Sequence, residues 1–193
     1  TICVCNAVFA PTKKFLHVVP QKKMFEVISG CMRVCKSGED AIPDKSELIS
    51  DINPLVLLFS GKIEFEHGVD LLAEAIHLLD QEPNGAHYEF HVCGSGPELS
   101  WLKKELGTLR KVRAYIHGFV SNREFLERFQ SAEVCIVLQK PQGRNAYYKT
   151  PSKGYEALCG GKTLLVSDIG DFSEIPEDVC QIISPLTSEN IAQ

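Results

Sequence analysis

The segment richest in chemistry is Thr150-Pro151-Ser152-Lys153-Gly154-Tyr155-Glu156. Thr150 is a helix-capping residue type, and Pro151 suits a first helical position. A helix starting there leaves the N–H groups of Ser152 and Lys153 without intrahelical acceptors, and its dipole favours an anion beside them. Lys153 adds a full positive charge. Ser152 and Glu156 stand four residues apart and share a face with Lys153, while Tyr155 and Leu158 turn towards a core. One face thus offers donors for a phosphate and, a turn later, a carboxylate. Its two acceptor oxygens suit the paired hydroxyls of a ribose. The same residues also read as a solvated Lys/Glu pair on an ordinary surface helix.

Three further features accompany it. Gly94-Ser95-Gly96-Pro97-Glu98 follows an apolar run. Its glycines permit a tight turn, Pro97 suits a first helical position, and free N–H groups at such a helix start can hold a phosphate or sugar oxygen. The dinucleotide fingerprint would need another glycine where Leu99 stands, so that reading is excluded; a plain strand-to-helix connection remains the alternative. Ser60-Gly61-Lys62 ends another apolar run. A lysine at the carboxyl end of a parallel strand faces the ligand crevice, and otherwise is a surface lysine. In His117-Gly118-Phe119-Val120, Phe119 and Val120 can offer an apolar wall and backbone groups to a flat base. Alternatively, Phe119 is a buried anchor for its loop.

The elements that must position these residues alternate in period. Strands are predicted over 55–59, 88–93, 112–116, 133–138, 163–166 and 179–183. Helices are predicted over 69–79, 97–106, 122–130 and 152–159, with a last one beginning at Ser188. Such alternation with short turns means an α/β, Rossmann-like parallel sheet with helices on both faces. Residues 1–52 break the pattern. They hold two apolar stretches, ICVCNAVF and MFEVIS, then a polar run from Cys35 to Asn53 that reads as a tether. The domain boundary is expected there, with 53–193 the Rossmann-like domain. The apolar start without a charged leader reads as the interior of a longer chain, and the end at Gln193 as a truncated last helix.

Of 193 residues, 44% are hydrophobic and 23% charged, and the formal net charge is −5. An acidic chain without a basic block is a poor nucleic-acid binder, and no apolar run approaches membrane-spanning length. The eight cysteines read as reduced, buried small hydrophobes. The spacings of Cys3 with Cys5 and Cys31 with Cys35 are not those of a zinc site. His17, His77, His87 and His91 lack metal spacing. Trp101, at helical spacing with Leu102 and Leu106, reads as half-buried packing.

Taken in order, four blocks resemble a known family: FSGKIEFEHGVDLLAEAI, FHVCGSGPEL, IHGFVSNREFLERFQSAEVCIVL and TPSKGYEALCGGKTLLVSDIG. They look like the C-terminal, donor-binding domain of the group 1 glycosyltransferases (family 4, retaining, GT-B fold). The resemblance covers about Pro54 to the end, and residues 1–52 then look like the end of the N-terminal domain and the linker. By resemblance, Lys62 contacts the donor diphosphate, and Gly61 and the Gly94-Ser95-Gly96 turn lie against it. Phe119 and Val120 line the base, Ser152 and Lys153 lie under the phosphates, and Glu156 holds the ribose.

Two positions depart from the family. A second basic residue before a glycine is His67 here, and the first acid of the Glu-x7-Glu motif is Tyr148. A Pro-x-Lys-x-x-Glu form without the first acid looks like one subgroup of the family.

The resemblance implies sugar transfer with retention from a UDP- or GDP-sugar to a glycan or lipid-linked acceptor. Lys62 and Glu156 would serve catalysis, and no metal or other cofactor is expected. It also implies a cytoplasmic location, in polysaccharide assembly, with any peripheral contact at the inner face of the membrane made through the N-terminal domain. This chain alone is expected to bind donor weakly and to catalyse nothing. Rival readings are an inactive nucleotide-binding module, a nucleotide-sugar epimerase of the same fold, and a receiver-type signalling domain. The last needs an acidic cluster at the strand ends, which Asp168 alone does not make.

Overall fold

A computed structural model describes residues 53–140, 151–170, 172 and 175–193, together with the backbone of three short strands before them. Those are β1 (Ile2–Val4), β2 (Ala7–Ala10) and β3 (Met24–Val27), with β2 antiparallel to β1 and parallel to β3. The first apolar stretch is therefore two paired strands, not one. The tether over 35–52 lies outside the described residues.

From Leu55 the elements follow the alternation: β4 (Leu55–Lys62), α1 (Val69–Gln81), β5 (Tyr88–Ser95), α2 (Leu99–Glu105), β6 (Arg113–Gly118) and α3 (Asn122–Ser131). Then come β7 (Val134–Val137), α4 (Ser152–Cys159), β8 (Thr163–Ser167), β9 (Cys180–Ile183) and α5 (Ser188–Ala192). The six strands β4–β9 form one wholly parallel sheet in the order β6-β5-β4-β7-β8-β9. This is a Rossmann-like order, growing outward in both directions from β4. A ligand crevice belongs where the order reverses, at the carboxyl ends of β4 and its two neighbours.

Both faces of the sheet are covered, which is why LVLLF is apolar without alternation. On one side Leu57, Phe59, Phe90 and Val92 meet Leu72 and Ile76 of α1, Leu102 of α2 and Ile191 of α5. On the other, Leu58, Cys93, Cys135, Leu164 and Val166 meet Ala157 of α4 and Phe172, with Phe125 and Phe129 of α3 packed against them. Trp101 is half-buried against the first core and meets Phe65 edge-on at 5.1 Å. Cys93, Cys135 and Cys180 are buried free thiols, as expected, but Cys159 is exposed at the end of α4. Burial pushes the Cys135 thiol up to about 11, so it stays protonated and inert. No helix among the described residues is long and apolar enough to cross a membrane.

One carboxylate ties the α1 end to the start of β6. Asp80 Oδ1 accepts the N–H groups of Lys111 at 2.7 Å, Val112 at 2.8 Å and Arg110 at 3.0 Å. The Lys111 ammonium in turn caps α1 through the carbonyls of Gln81 and Glu82. Burial alone would raise the Asp80 carboxyl, but the N–H groups of Lys111, Val112 and Arg110 outweigh it and hold it below its ordinary value. A depressed carboxyl stabilises the fold above its unfolded pKa, and that contribution fades as pH falls through the folded value. Asp80→Ala is therefore expected to cost about 1–3 kcal/mol at pH 7. In paired thermal melts, the gap from wild type should close on acidification; a gap unchanged at low pH would contradict this.

Candidate donor site

At the carboxyl ends of β4 and β5, the backbone leaves room only for glycine at position 94. Gly61 and Gly94 are register partners, with φ 152° and 154°. A Cβ on Gly94 would stand 1.7 Å from the Gly61 carbonyl oxygen. One turn on, the Ile63 N–H donates to the Ser95 carbonyl and the Glu98 N–H to the Ile63 carbonyl. This backbone clasp closes the floor of the crevice. It also corrects one expectation about the turn. Pro97 and Glu98 form a turn and α2 begins at Leu99, not at Pro97. The Glu98 and Leu99 N–H groups are spent on the Ile63 and Gly96 carbonyls, so they are not free for a phosphate.

Two adjoining cavities open over this floor. The first, about 420 Å³, lies at the β4–β7 reversal and is lined by Phe59–Lys62, His67, Val137–Gln139, Pro151–Lys153 and Ile169. The second, about 500 Å³, lies towards β5 and α3, and its lining includes Gly94, Ser95, Phe119, Val120, Phe125 and Glu156. Ser60, Gly61, Lys62 and Lys153 border both. The fold thus brings together Gly61, Lys62, Gly94, Ser95, Phe119, Val120, Ser152, Lys153 and Glu156, drawn from four separate stretches of sequence. Gly96 lines neither cavity. A Cβ there would lie 2.0 Å from the Ile63 carbonyl, so its contribution is to the clasp. Tyr148 lies outside the described residues.

Each side chain is held in a definable way. Pro151 is the N-cap of α4 and Ser152 its first residue, one position later than the capping by Thr150 that the sequence suggests; Thr150 lies outside the described residues. Gly154 and Ala157 form the buried side of α4. A Cβ on Gly154 would reach to 2.4 Å from the Phe172 ring, so glycine lets the helix sit close enough to the sheet to aim its N-terminus into the crevice. Tyr155 stacks at a tilt on Phe172, 4.9 Å between centroids, turned to the core as its spacing implied. Lys153 reaches across the crevice floor, its ammonium 5.4 Å from the Phe125 ring centroid.

The Lys62 ammonium is 3.9 Å from Glu64, and His67 Nδ1 is 3.5 Å from the same carboxylate. Lys62 is largely exposed, so that pair restrains it little. Phe119 is 85% exposed, which rules out the buried anchor.

Several lining residues went unread in the sequence. Asn122 and Phe125 border the second cavity because α3 starts at Ser121 with a capping box. There the Ser121 N–H donates to Glu124 Oε2 at 2.8 Å and the Glu124 N–H to Ser121 Oγ at 3.3 Å. The Ser-x-x-Glu spacing was the available signal. Buried Gln139 had none: its side chain binds Glu66 and its N–H donates to Ser167 Oγ at 2.9 Å, partners far away in sequence. Among the described residues no three His, Cys, Asp or Glu side chains group as a metal site.

A parallel sheet of this order places a ligand crevice at its reversal, and cationic side chains and a helix N-terminus gather there. Residues 54–193 match the model of the family described as glycosyl transferases group 1, and the chain belongs to that family. A search of curated protein sequences finds no significant match. Among solved structures, the chain resembles HepE of Anabaena in complex with UDP at 17% identity and TM-score 0.67, over 97% of this chain and 52% of that one. It is also similar to a sucrose-phosphate synthase of Thermosynechococcus elongatus, at 20% identity and TM-score 0.64 over 96% and 46%. A third likeness is to WaaG, a glycosyltransferase of lipopolysaccharide biosynthesis, at 15% identity and TM-score 0.63 over 95% and 51%. The chain thus spans about half the length of these proteins. At such identities the likeness establishes the GT-B type of fold.

The clasp makes a direct prediction. Gly94→Ala should destabilise the chain by at least about 2 kcal/mol in denaturant melts. Gly107→Ala, with open space around its Cβ, should cost less than about 1 kcal/mol or stabilise. Equal effects would contradict the clasp.

Proposed function

We propose that this chain is the donor-binding half of a retaining glycosyltransferase that takes a nucleotide diphosphate-sugar, a UDP- or GDP-sugar. The observation that carries the reading is the convergence of Lys62, Lys153, Glu156 and Phe119 on two adjoining cavities at the β4 reversal point. The order of parts suits such a donor. Phe119 and Val120 flank the base and Glu156 accepts from the ribose hydroxyls. Lys62, Lys153 and the first-turn N–H groups of α4 meet the diphosphate. The Anabaena protein HepE was solved with UDP, and also with UDP and glucose, which supports a nucleotide in the corresponding place.

Bond breaking at the anomeric carbon leaves charge on the departing diphosphate. Donors fixed in advance around that charge stabilise the transition state more than the ground state. Lys62 and Lys153 are the charged members of that set here, and the α4 N-terminus adds a partial charge. The acceptor, a glycan or lipid-linked glycan in this reading, would enter from the open side of the first cavity, beside His67 and Gln139. The boundary near residue 52 belongs to the same proposal.

A second reading, a nucleotide-binding module without catalysis, is favoured by His67. An imidazole stands there in place of the lysine that the resemblance implies. Nucleotide binding with no turnover by the complete protein would favour it.

Calorimetric titration with UDP, GDP and ADP tests the donor site. One nucleotide should bind in preference, with Lys62→Ala and Glu156→Ala each weakening it about tenfold, the effect of losing one charge-assisted hydrogen bond. Binding of none, or binding indifferent to both substitutions, would overturn the proposal. This chain alone should show no sugar transfer, and measurable turnover would contradict that part.

A further inference from the structure

The face of β5 and β6 turned towards α3 carries a row of polar rings that the donor site does not use. On β5 stand Glu89 and His91, and on β6 Arg113, Tyr115 and His117. His91 Nε2 lies 2.9 Å from Glu89 Oε1, and His91 Nδ1 lies 2.8 Å from His117 Nε2. The two imidazoles lie edge to edge and nearly coplanar, with centroids 5.1 Å apart at 13°, and Tyr115 continues the row 5.2 Å from His91. Arg113 closes it against Glu89 at 3.3 Å.

The row ends at an irregularity. Val92 pairs with Ile116 but Cys93 pairs with Gly118, so His117 is an extra residue without a partner on β5. Such a bulge re-aims the chain that follows it. Gly118 then turns with φ 75°, and Phe119 and Val120 project over the second cavity. Beyond them the Ser121–Glu124 capping box holds the far end of the loop. The near end is held by the His91–His117 hydrogen bond.

We propose that His91 is a positioning residue for the nucleobase loop: through His117 it fixes the bulge, and the bulge sets where Phe119 and Val120 meet the base. The inference rests on the donor-site reading above. The proton count shows what the hold requires. A carboxylate only accepts, so His91 Nε2 carries the proton it donates to Glu89, and neutral His91 Nδ1 is an acceptor. His117 Nε2 is then the donor. A proton added to His117 leaves the bond intact. A proton on His91 Nδ1 as well sets two N–H groups against each other.

The pair faces Glu89 and Cys93 on β5, Arg113 and Tyr115 on β6, and Glu124 and Arg128 on α3. Burial, then Arg128 and His91, push His117 below the ordinary histidine range, against the opposing pull of Glu124. Loss of the hold on the loop thus requires an added proton on both rings.

Two substitutions separate the hydrogen bond from ring packing. His91→Phe keeps an aromatic ring and removes the acceptor. His91→Asn keeps an acceptor near the Nδ1 position and cannot titrate. Affinity is measured by calorimetry from pH 5 to 8 for whichever of UDP, GDP and ADP binds best, with amide hydrogen exchange across His117–Val120 and thermal melts alongside.

His91→Phe should weaken binding about fivefold, the scale of one hydrogen bond, and speed exchange in the loop. His91→Asn should restore both and flatten the fall in affinity at acid pH. Wild-type affinity and exchange in His91→Phe would overturn the proposal, as would His91→Asn behaving like His91→Phe, which would reduce the ring to packing. If no nucleotide binds the wild type, the donor-site reading fails, and the exchange comparison still decides whether His91 holds the loop.

Discussion

The molecule depends on a contact between two peptide backbones. Where Gly61 meets Gly94, a Cβ on Gly94 has no room beside the Gly61 carbonyl. The chain past Gly61 then binds the turn past Gly94 through Ile63. Any side chain at Gly94 would collide with the Gly61 carbonyl, and the two loops would part. The clasp makes the crevice floor bare backbone, so that Lys62 and Lys153 rise from its rim and an anionic ligand can approach closely.

A second close approach aims the opposite wall. Helix α4 is short and would gain little stability by itself. It is held because Gly154 admits the Phe172 ring, which also carries Tyr155. That contact brings Ser152 and Lys153 to the mouth of the first cavity and Glu156 to the second. The helix therefore spans both cavities, with the cationic residue where they join. The third wall, at Phe119, is the least buried. It is set by backbone geometry, a bulge before it and a capped helix after it, so its placement is open to control from the β5–β6 face.

The sheet was legible because each strand and helix carries its own period. The apolar run LVLLF and the helical spacing of VDLLAEAIHLL needed no distant information, and the order of the blocks supplied the family. The strand-end glycines, Lys62 and the α4 segment were also readable, since their chemistry follows from position after a strand or at a helix start. The details that were not legible have a common cause. Pro97 and Pro151 each suit a first helical position, yet the chain around each takes another path. The Gly94–Gly96 turn is bound to Ile63, and α4 follows its contact with Phe172. Gln139 is fixed by Glu66 and Ser167, and the His91–His117 pair arises from strand register. Cys159, placed with the buried thiols on composition, is exposed because Gly154 and Ala157 mark the side of α4 that meets the sheet. Tyr148 and the tether lie outside the described residues.

The most direct test of the central claim, that the β4 reversal point is a nucleotide diphosphate site, is amide chemical-shift mapping of the chain titrated with the best-binding nucleoside diphosphate. The account predicts saturable shifts gathered at Gly61, Lys62, Gly94, Phe119, Val120, Lys153 and Glu156. Shifts gathered instead around the hollow beside β9, at Cys180, Gln181 and Ile182, or no saturable shifts at all, would contradict it.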